Sequence, residues 1–167
     1  MSRDNTPLSM ENKRQSVEKY FDMIYRLAFS QTKDREHADD VVQDVFLRFL
    51  KTDKCFESDE HIKAWLLRVT LNCSKNVFLS SWHKKIVPLS ERADEPVFDT
   101  AEKGDVYYAV SELPAKYRVV IHLFYYEDMS IEDISRYLKM NVSTVKSQLS
   151  RGRKLLKEKL KGEYDFV

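Results

Sequence analysis

The chain has 167 residues, a formal net charge of +1 and 43% apolar residues, a composition that supports modest hydrophobic cores and excludes disorder throughout. Its two cysteines, Cys55 and Cys73, and its four histidines show no zinc-ligand spacing, which argues against a metal site. No apolar run is long enough to span a membrane and the polar N-terminus lacks the apolar core of a signal peptide, so we expect a cytoplasmic protein with reduced thiols.

Helical periodicity dominates the first half of the chain. With only three glycines, four prolines and no sustained strand-like alternation, the sequence predicts an all-α protein of two small helical domains. Residues 1–15 are expected to form a disordered tail, and whether Met10 is an alternative start is left open. A first helix is predicted from Ser16 to the polar stretch QTKDRE, a second over residues 36–50 and a third over residues 60–79.

Each predicted helix has an apolar stripe that would face a core and a polar face that would not. The stripes consist of Val17, Tyr20, Phe21, Ile24, Leu27 and Ala28, then Ala38, Val41, Val42, Val45 and Phe49, then Ile62, Leu66, Val69, Cys73 and Val77. The polar face of the second helix carries Asp40, Gln43 and Asp44 beside an apolar Leu47. Taken alone, this face is typical of solvated surface.

Charge changes sharply after the third helix. Residues 61–90 contain no acid, whereas residues 88–105 contain six acids against two bases, a net charge of −4, with Pro88 and Pro96 and no helical period. We therefore predict an acidic linker over residues 86–105, between a domain at 16–85 and a domain at 106–161. A linker that merely improves solubility has the same composition.

The second domain ends in a helix-turn-helix pattern. Ser130 and Asp133 resemble a capping box before the apolar residues of SIEDISRYLKM, and a short turn, residues 139–142, precedes a second predicted cap at Ser143. In the last helix Val145, Leu149, Gly152, Leu156 and Leu160 form one face. From residue 139 to 161, eight basic residues face one acid, a local net charge of +7.

Such a basic helix after a tight turn suits the major groove of DNA, where its N-terminal part would meet base edges and phosphates. The alternative is a three-helix bundle with a solvated basic face. The polar residues that are candidates for DNA contact are Ser143, Thr144, Lys146, Ser147, Gln148, Arg151 and Lys154.

Three segments carry a family resemblance. Residues 113–156, LPAKYRVVIHLFYYEDMSIEDISRYLKMNVSTVKSQLSRGRKLL, resemble region 4 of the extracytoplasmic-function (ECF) sigma factors, the group IV members of the sigma-70 family. Residues 38–50, ADDVVQDVFLRFL, resemble region 2.2, and residues 61–76, HIKAWLLRVTLNCSKN, resemble regions 2.3 and 2.4. The resemblance implies a sigma factor that recruits core RNA polymerase to promoters and helps to melt them.

The resemblance also implies a role for each segment. Region 4 would read the −35 element and contact the β flap of core polymerase. Region 2.2 would contact the β′ clamp helices. The residues implied in polymerase docking are Asp40, Gln43, Asp44 and Phe46. Those implied in binding the −10 strand are Lys63, Trp65, Arg68, Asn72, Lys75 and Asn76. The loop at residues 53–60 would capture a flipped base, and Trp65 could instead be a core residue.

The chain departs from the family at several positions. Lys139 and Asn141 stand where the family often has Gly and Pro, and Gln148 stands where many members have Arg. Asn76 and Leu79 replace a common Asp and Arg. These departures concern promoter sequence rather than family membership. The acidic linker would thread through the polymerase cleft, and an anti-sigma factor would be the usual regulator.

The alternatives to a sigma factor are a helix-turn-helix regulator and an enzyme. A ligand-sensing or dimeric helix-turn-helix regulator would need a self-complementary surface and usually a ligand cavity, and the sequence indicates neither. An enzyme would need a catalytic motif, and the chain has no Gly-rich phosphate loop, HExxH or GxSxG. We therefore expect no catalytic residue, cofactor, metal or small-molecule substrate.

Overall fold

The computed structural model describes residues 6–84 and 104–164, and the chain divides into two compact units, residues 1–86 and 87–167. The described residues form helices and no strands, so the predicted all-α class is confirmed. The first unit contains α1 (Met10–Thr32), α2 (Arg35–Lys51) and α3 (Asp59–Lys84). The second contains α4 (Gly104–Ser111), α5 (Ala115–Ile121), a π-helix (His122–Tyr126), α6 (Ile131–Leu138) and α7 (Val142–Tyr164).

Helix α1 begins six residues earlier than the sequence predicted. Ser9 caps it by accepting a hydrogen bond from the Asn12 amide at 3.2 Å, and Lys13 and Ser16 are already buried. Residues 10–15 are therefore helical, which corrects the expectation of a disordered tail up to residue 15. The helix ends at Lys33, whose left-handed backbone (φ 58°) directs its N–H to the Phe29 carbonyl.

The core of the first unit lies where α1, α2 and α3 pack on one another. The predicted stripe of α2 is fully buried, and Ile62, Leu66 and Cys73 of α3 are buried opposite it. In α1 the stripe is buried at Tyr20, Ile24, Leu27 and Ala28 and half-buried at Val17, whereas Phe21 is 44% exposed and stacks on Phe46 at a centroid distance of 5.9 Å. These three amphipathic helices bury one common apolar centre.

The second unit is held at its first turn by a buried cation. Arg118 of α5 is 7% exposed, and its Nη1 donates to the Leu113 carbonyl at 2.7 Å. Burial lowers the pKa of this guanidinium from its ordinary value. Leu113, Ile121 and Leu123 are also buried, as are Val145 and Leu149 of α7, which packs on α5.

Several sequence predictions fall on parts of the chain outside this description. The predicted acidic linker is described only at residues 104 and 105, which open α4. Side chains beyond residue 77 in α3, including Leu79, are likewise outside it. No described helix is both long and apolar enough to cross a lipid bilayer.

Candidate nucleic-acid interface

The predicted DNA face of α7 is open to solvent. Six of its seven candidate residues are exposed, and Gln148 alone is half-buried. On the opposite side Val145, Leu149 and Gly152 are buried, as the apolar stripe predicted, and Leu156 and Leu160 are half-buried. Because α7 packs on the second unit through its apolar side, the polar side chains of the other side are available to a ligand.

The cations of this face are not neutralised by neighbours. In the part of the chain that the structure describes, Lys146, Arg151 and Lys154 form no ion pair with a carboxylate. Uncompensated positive charge on one helix face attracts a polyanion, and this attraction becomes stronger as the salt concentration falls.

The turn before α7 is built from backbone hydrogen bonds. Ser130 caps α6 by accepting from the Asp133 amide at 3.0 Å, as the capping box predicted. Lys139 takes the left-handed conformation (φ 53°) at the site where the family often has Gly, and the Met140 amide donates to the Ser135 carbonyl at 3.0 Å. Helix α7 begins at Val142, so Ser143 lies within its first turn rather than capping it.

A close contact fixes α7 against α5. A Cβ atom at Gly152 would lie 3.0 Å from Ile121 Cγ1, tighter than ordinary side-chain contacts, and 3.5 Å from Tyr117 Cβ, an ordinary contact. Gly152 therefore lets the two helices approach each other at this point, and the approach sets which residues of α7 face outward.

The candidate residues of α3 are less exposed than those of α7. Asn72, Lys75 and Asn76 are exposed, whereas Lys63, Trp65 and Arg68 are half-buried. The Trp65 ring lies 5.8 Å from Phe49 and 5.9 Å from Phe56. Part of the indole thus belongs to the core, the alternative that the sequence left open, and part remains at the surface.

The segment between α2 and α3, residues 52–58, is named here the α2–α3 loop. Its residues Asp53, Lys54, Glu57 and Ser58 are exposed. Asp59, the first residue of α3, follows the loop, and Lys19 Nζ and Tyr20 Oη both donate to its carboxylate, at 2.7 and 2.5 Å. Burial alone raises the Asp59 pKa, but these hydrogen bonds outweigh burial and lower it.

The predicted docking face of α2 is partly confirmed as surface. Asp40 and Gln43 are exposed, and Leu47 is 47% exposed, as its position on the polar face predicted. Phe46 is instead buried, 7% exposed, because it continues the stripe of Val42, Val45 and Phe49 and stacks on Phe21. The assignment of Phe46 to a contact surface is therefore corrected.

Asp44 at the edge of that face has partners within the unit. Arg48 Nε donates to one carboxylate oxygen at 3.1 Å, and the Cys73 thiol of α3 donates to the other at 3.3 Å. The Arg48 hydrogen bond lowers the Asp44 pKa, helped by Cys73. Burial, followed by the Asp44 contact, raises the pKa of Cys73 to about 11. This thiol is consequently unreactive near neutral pH.

Sequence reasoning missed an apolar groove on the second unit. The groove has a volume of about 590 Å³ and a basic rim of Arg153, Lys157 and Lys161. Its apolar lining includes Val106, Val110, Ile121, Tyr126, Leu156 and Leu160. The run HLFYY was the available signal, because the four successive apolar or aromatic residues after His122 exceed what one helical stripe can bury. It forms the π-helix, and Tyr125 is 51% exposed.

Comparison with known proteins assigns the two units. The family model for sigma-70 region 2 matches residues 16–83, and the model for sigma-70 region 4 matches residues 103–156. The RNA polymerase sigma factor SigV of Bacillus subtilis (strain 168) is 32% identical over 144 residues, 84% of this chain and 86% of SigV. The chain belongs to the sigma-70 family.

This sigma factor also resembles ECF members of the family. The ECF RNA polymerase sigma factor SigW of Bacillus subtilis (strain 168) is 25% identical over 162 residues, 87% of each chain. The sigma factor RpoE from Bartonella quintana, solved in complex with the anti-sigma factor NepR, has the same fold, with a TM-score of 0.69 and 24% identity over 90% of this chain and 98% of RpoE. The predicted ECF resemblance and the sigma factor function are confirmed, and a dimeric regulator is not favoured.

Proposed function

We propose that this sigma factor docks on core RNA polymerase through α2 and reads promoter DNA with α3 and α7. The observation that carries the proposal is the face of α7, where three cations without a carboxylate partner in the described residues follow a capped α6 and a tight turn. The limits of the two domains, 16–85 and 106–161, belong to the same proposal.

At the −35 element, the N-terminal part of α7 would lie in the major groove. Ser143, Thr144 and Ser147 are exposed there, and Gln148 offers an amide that can pair with adenine. Lys146, Arg151 and Lys154 supply charge for guanine edges or phosphates. Because Gln148 is half-buried, its side chain can adopt fewer conformations than a fully exposed glutamine. Its amide would therefore pair with fewer bases.

At the −10 element, α3 would hold the separated nontemplate strand. Unpaired bases bind to aromatic surfaces, and their backbone binds to cations. The exposed part of Trp65 offers an aromatic surface for a base. Lys63, Arg68 and Lys75 offer positive charge for the backbone, and Asn72 and Asn76 offer amides for base edges.

Docking on polymerase would use two surfaces. Asp40, Gln43 and the exposed Leu47 of α2 form a mixed polar and apolar patch suited to the β′ clamp helices, with Phe46 supporting it from inside. The apolar groove of the second unit, with its basic rim, suits an amphipathic segment with acidic flanks, and we assign it to the β flap.

The remaining assignments concern regulation and place of action. We propose an anti-sigma factor as regulator, because a sigma factor of the same fold was solved bound to one. We propose that the protein acts in the cytoplasm, where its DNA and polymerase partners are found. There it would serve as a non-enzymatic subunit that needs no cofactor. The predicted role of the acidic linker concerns residues outside the described ones and stays a prediction.

In vitro transcription with purified core polymerase tests the proposal. On a pool of genomic promoters, the sigma factor should produce transcripts whose 5′ ends define shared −35 and −10 sequences. The free protein should bind promoter duplex poorly, and core enzyme should make binding specific and salt-sensitive. Tight operator binding by the free protein, unchanged by core enzyme, would contradict the proposal.

A further inference from the structure

We propose that Lys13 of α1 is a positioning residue for the α2–α3 loop and so sets how strictly the loop discriminates among bases of the −10 element. The inference rests on the proposed function, in which this loop receives an unpaired base. Lys13 itself would touch no DNA. Its position in α1, outside the segments that resemble regions 2.2 to 2.4, gave no indication of such a role.

Lys13 fixes the start of the loop. The residue is 5% exposed, and its Nζ donates to the Leu50 carbonyl at 3.0 Å and to the Thr52 carbonyl at 2.7 Å. The last carbonyls of a helix have no intrahelical partner, and a cation at a helix C-terminus also interacts favourably with the helix dipole. A lysine this buried is rare unless its ammonium is paired, and here it ties α1 to the end of α2 and to the first loop residue.

An aromatic cluster fixes the middle of the loop. The Phe56 ring lies 5.8 Å from Phe49 of α2, and 5.9 and 5.2 Å from Trp65 and His61 of α3. Phe56 is therefore directed into the unit. The same cluster contains Trp65, the residue assigned to stacking on the −10 strand, so a change in the loop path would also alter the support of that ring.

Hydrogen bonds fix the end of the loop. His61 Nδ1 accepts from the Glu57 amide at 3.2 Å, and Ser58 Oγ accepts from the His61 amide at 3.1 Å. Asp59 is then held by Lys19 and Tyr20 of α1. Helix α1 thus contacts the chain on both sides of the loop.

Three fixed points in a seven-residue loop leave few conformations for its exposed residues Asp53, Lys54, Glu57 and Ser58. A preorganised site binds its matched base without first paying an ordering cost, and it cannot adapt to a mismatched one. Releasing the first point would let the loop adopt further shapes, so other bases would be accepted more readily. We therefore expect loss of discrimination more than loss of binding.

The test uses the holoenzyme, the sigma factor bound to core polymerase, and the substitution Lys13→Met, which keeps side-chain length and removes the donor. Binding to forked promoter DNA is measured with each of the four bases at every −10 position of the nontemplate strand. Lys13→Met should lower the preference for the best base at least threefold at one position and leave the −35 preference unchanged. Lys13→Arg, which keeps a donor, should restore most of the preference.

Arg14→Met is the matched control. It removes the same charge from the next residue of α1, where Arg14 is exposed and paired only locally with Glu11 in the described contacts. This variant should keep the wild-type base preference. Amide hydrogen exchange should rise in residues 52–58 of Lys13→Met and stay unchanged in α7.

A second pair of variants covers the case in which Lys13→Met fails to fold. His61→Ala removes both the acceptor for Glu57 and the ring beside Phe56, while His61→Asn removes the ring but keeps an acceptor near the Nδ1 position. His61→Ala should therefore lose more of the base preference than His61→Asn. If wild type shows a base preference that folded Lys13→Met leaves intact, the inference is overturned. If Lys13→Met does not fold, a base preference that His61→Ala leaves intact overturns it instead. If wild type binds no core polymerase or shows no −10 preference, it is the proposed function that fails.

Discussion

The two surfaces that we assign to promoter DNA are built in different ways. On α7 the polar residues project from a helix whose other side is apolar, and Lys146, Arg151 and Lys154 have no carboxylate partner among the described residues. On the first unit, α3 presents both half-buried and exposed candidate residues, and the path of the α2–α3 loop is held by a buried lysine, an aromatic cluster and several hydrogen bonds.

The difference matches the state of the DNA that each surface would meet. Duplex DNA has a fixed groove, so a rigid helix with free charges is sufficient to read it. An unpaired base has no fixed position, so the protein has to supply the shape that selects it.

The largest effect should come from charge reversal on α7. Lys146→Glu with Arg151→Glu replaces attraction to phosphates by repulsion, and we expect transcription from −35-dependent promoters to fall about a hundredfold or more. The measurement is transcript yield with saturating core polymerase. Lys116→Glu, a charge reversal on α5 outside the predicted face, is the control. Equal losses in the two proteins would contradict the assignment of this face.

Alkylation of Cys73 should be strongly suppressed. At pH 8 a thiol whose pKa is about 11 is roughly a hundred times less ionised than one at the ordinary 9.0. Cys73 is also buried, whereas Cys55 is half-buried. Iodoacetamide followed by mass spectrometry should therefore show Cys55 modified first.

The same thiol should give the unfolding free energy a defined pH dependence. The folded pKa of Cys73 exceeds the ordinary value, so its contribution is present below about pH 9 and declines as the pH rises toward about 11. Subtracting the pH profile of Cys73→Ala isolates this contribution, because the raised pKa values of Tyr25 and Tyr126 are common to both proteins. A flat difference across that range would show that Cys73 is not held as described.

Packing behind the α7 face can be tested at Gly152. Gly152→Val would press against Ile121 and Tyr117, and we expect the second unit to lose about 1–3 kcal/mol of unfolding free energy. Gly104→Val is the control, because no atom lies within 4 Å of a Cβ placed there. Urea unfolding followed by circular dichroism measures both. A neutral Gly152→Val would mean that the helices are not closely packed at this point.

The smallest effect should follow Asp40→Lys on α2. Reversing one exposed charge in a docking patch should weaken binding to core polymerase about tenfold and lower all transcripts together, because docking precedes promoter choice. Glu18→Lys, an exposed carboxylate of α1, is the matched control. Binding is measured by competition against the unmodified sigma factor. A change in promoter choice without loss of docking would move Asp40 out of the polymerase contact.

Local patterns predicted much of this molecule. Helical periodicity placed the stripe of α2 correctly and that of α3 in part, since Val69 and Val77 are only half-buried. Ser130 caps α6 as predicted, and Leu47 is exposed on the polar face. The ECF resemblance indicated the family before any geometry was known. Each of these signals acts within one helix or one motif, and so it can be read without knowing what the helix packs against.

Other features depend on residues far apart in the chain. Phe21 and Phe46 exchanged the expected degrees of exposure because the α1–α2 contact leaves one ring at the edge and covers the other. The apolar groove forms where α4, the π-helix and α7 meet, and no single stretch of sequence contains it.

Most helices, their polar and apolar faces, the basic charge of α7 and the family follow from local sequence patterns. Which polar groups are buried, and which partners hold them, depends on how the helices pack. Lys13 shows the physical reason, because a lysine is normally solvated and is buried here only by two carbonyls 37 and 39 residues away. A pairing of that kind exists only after the chain has folded.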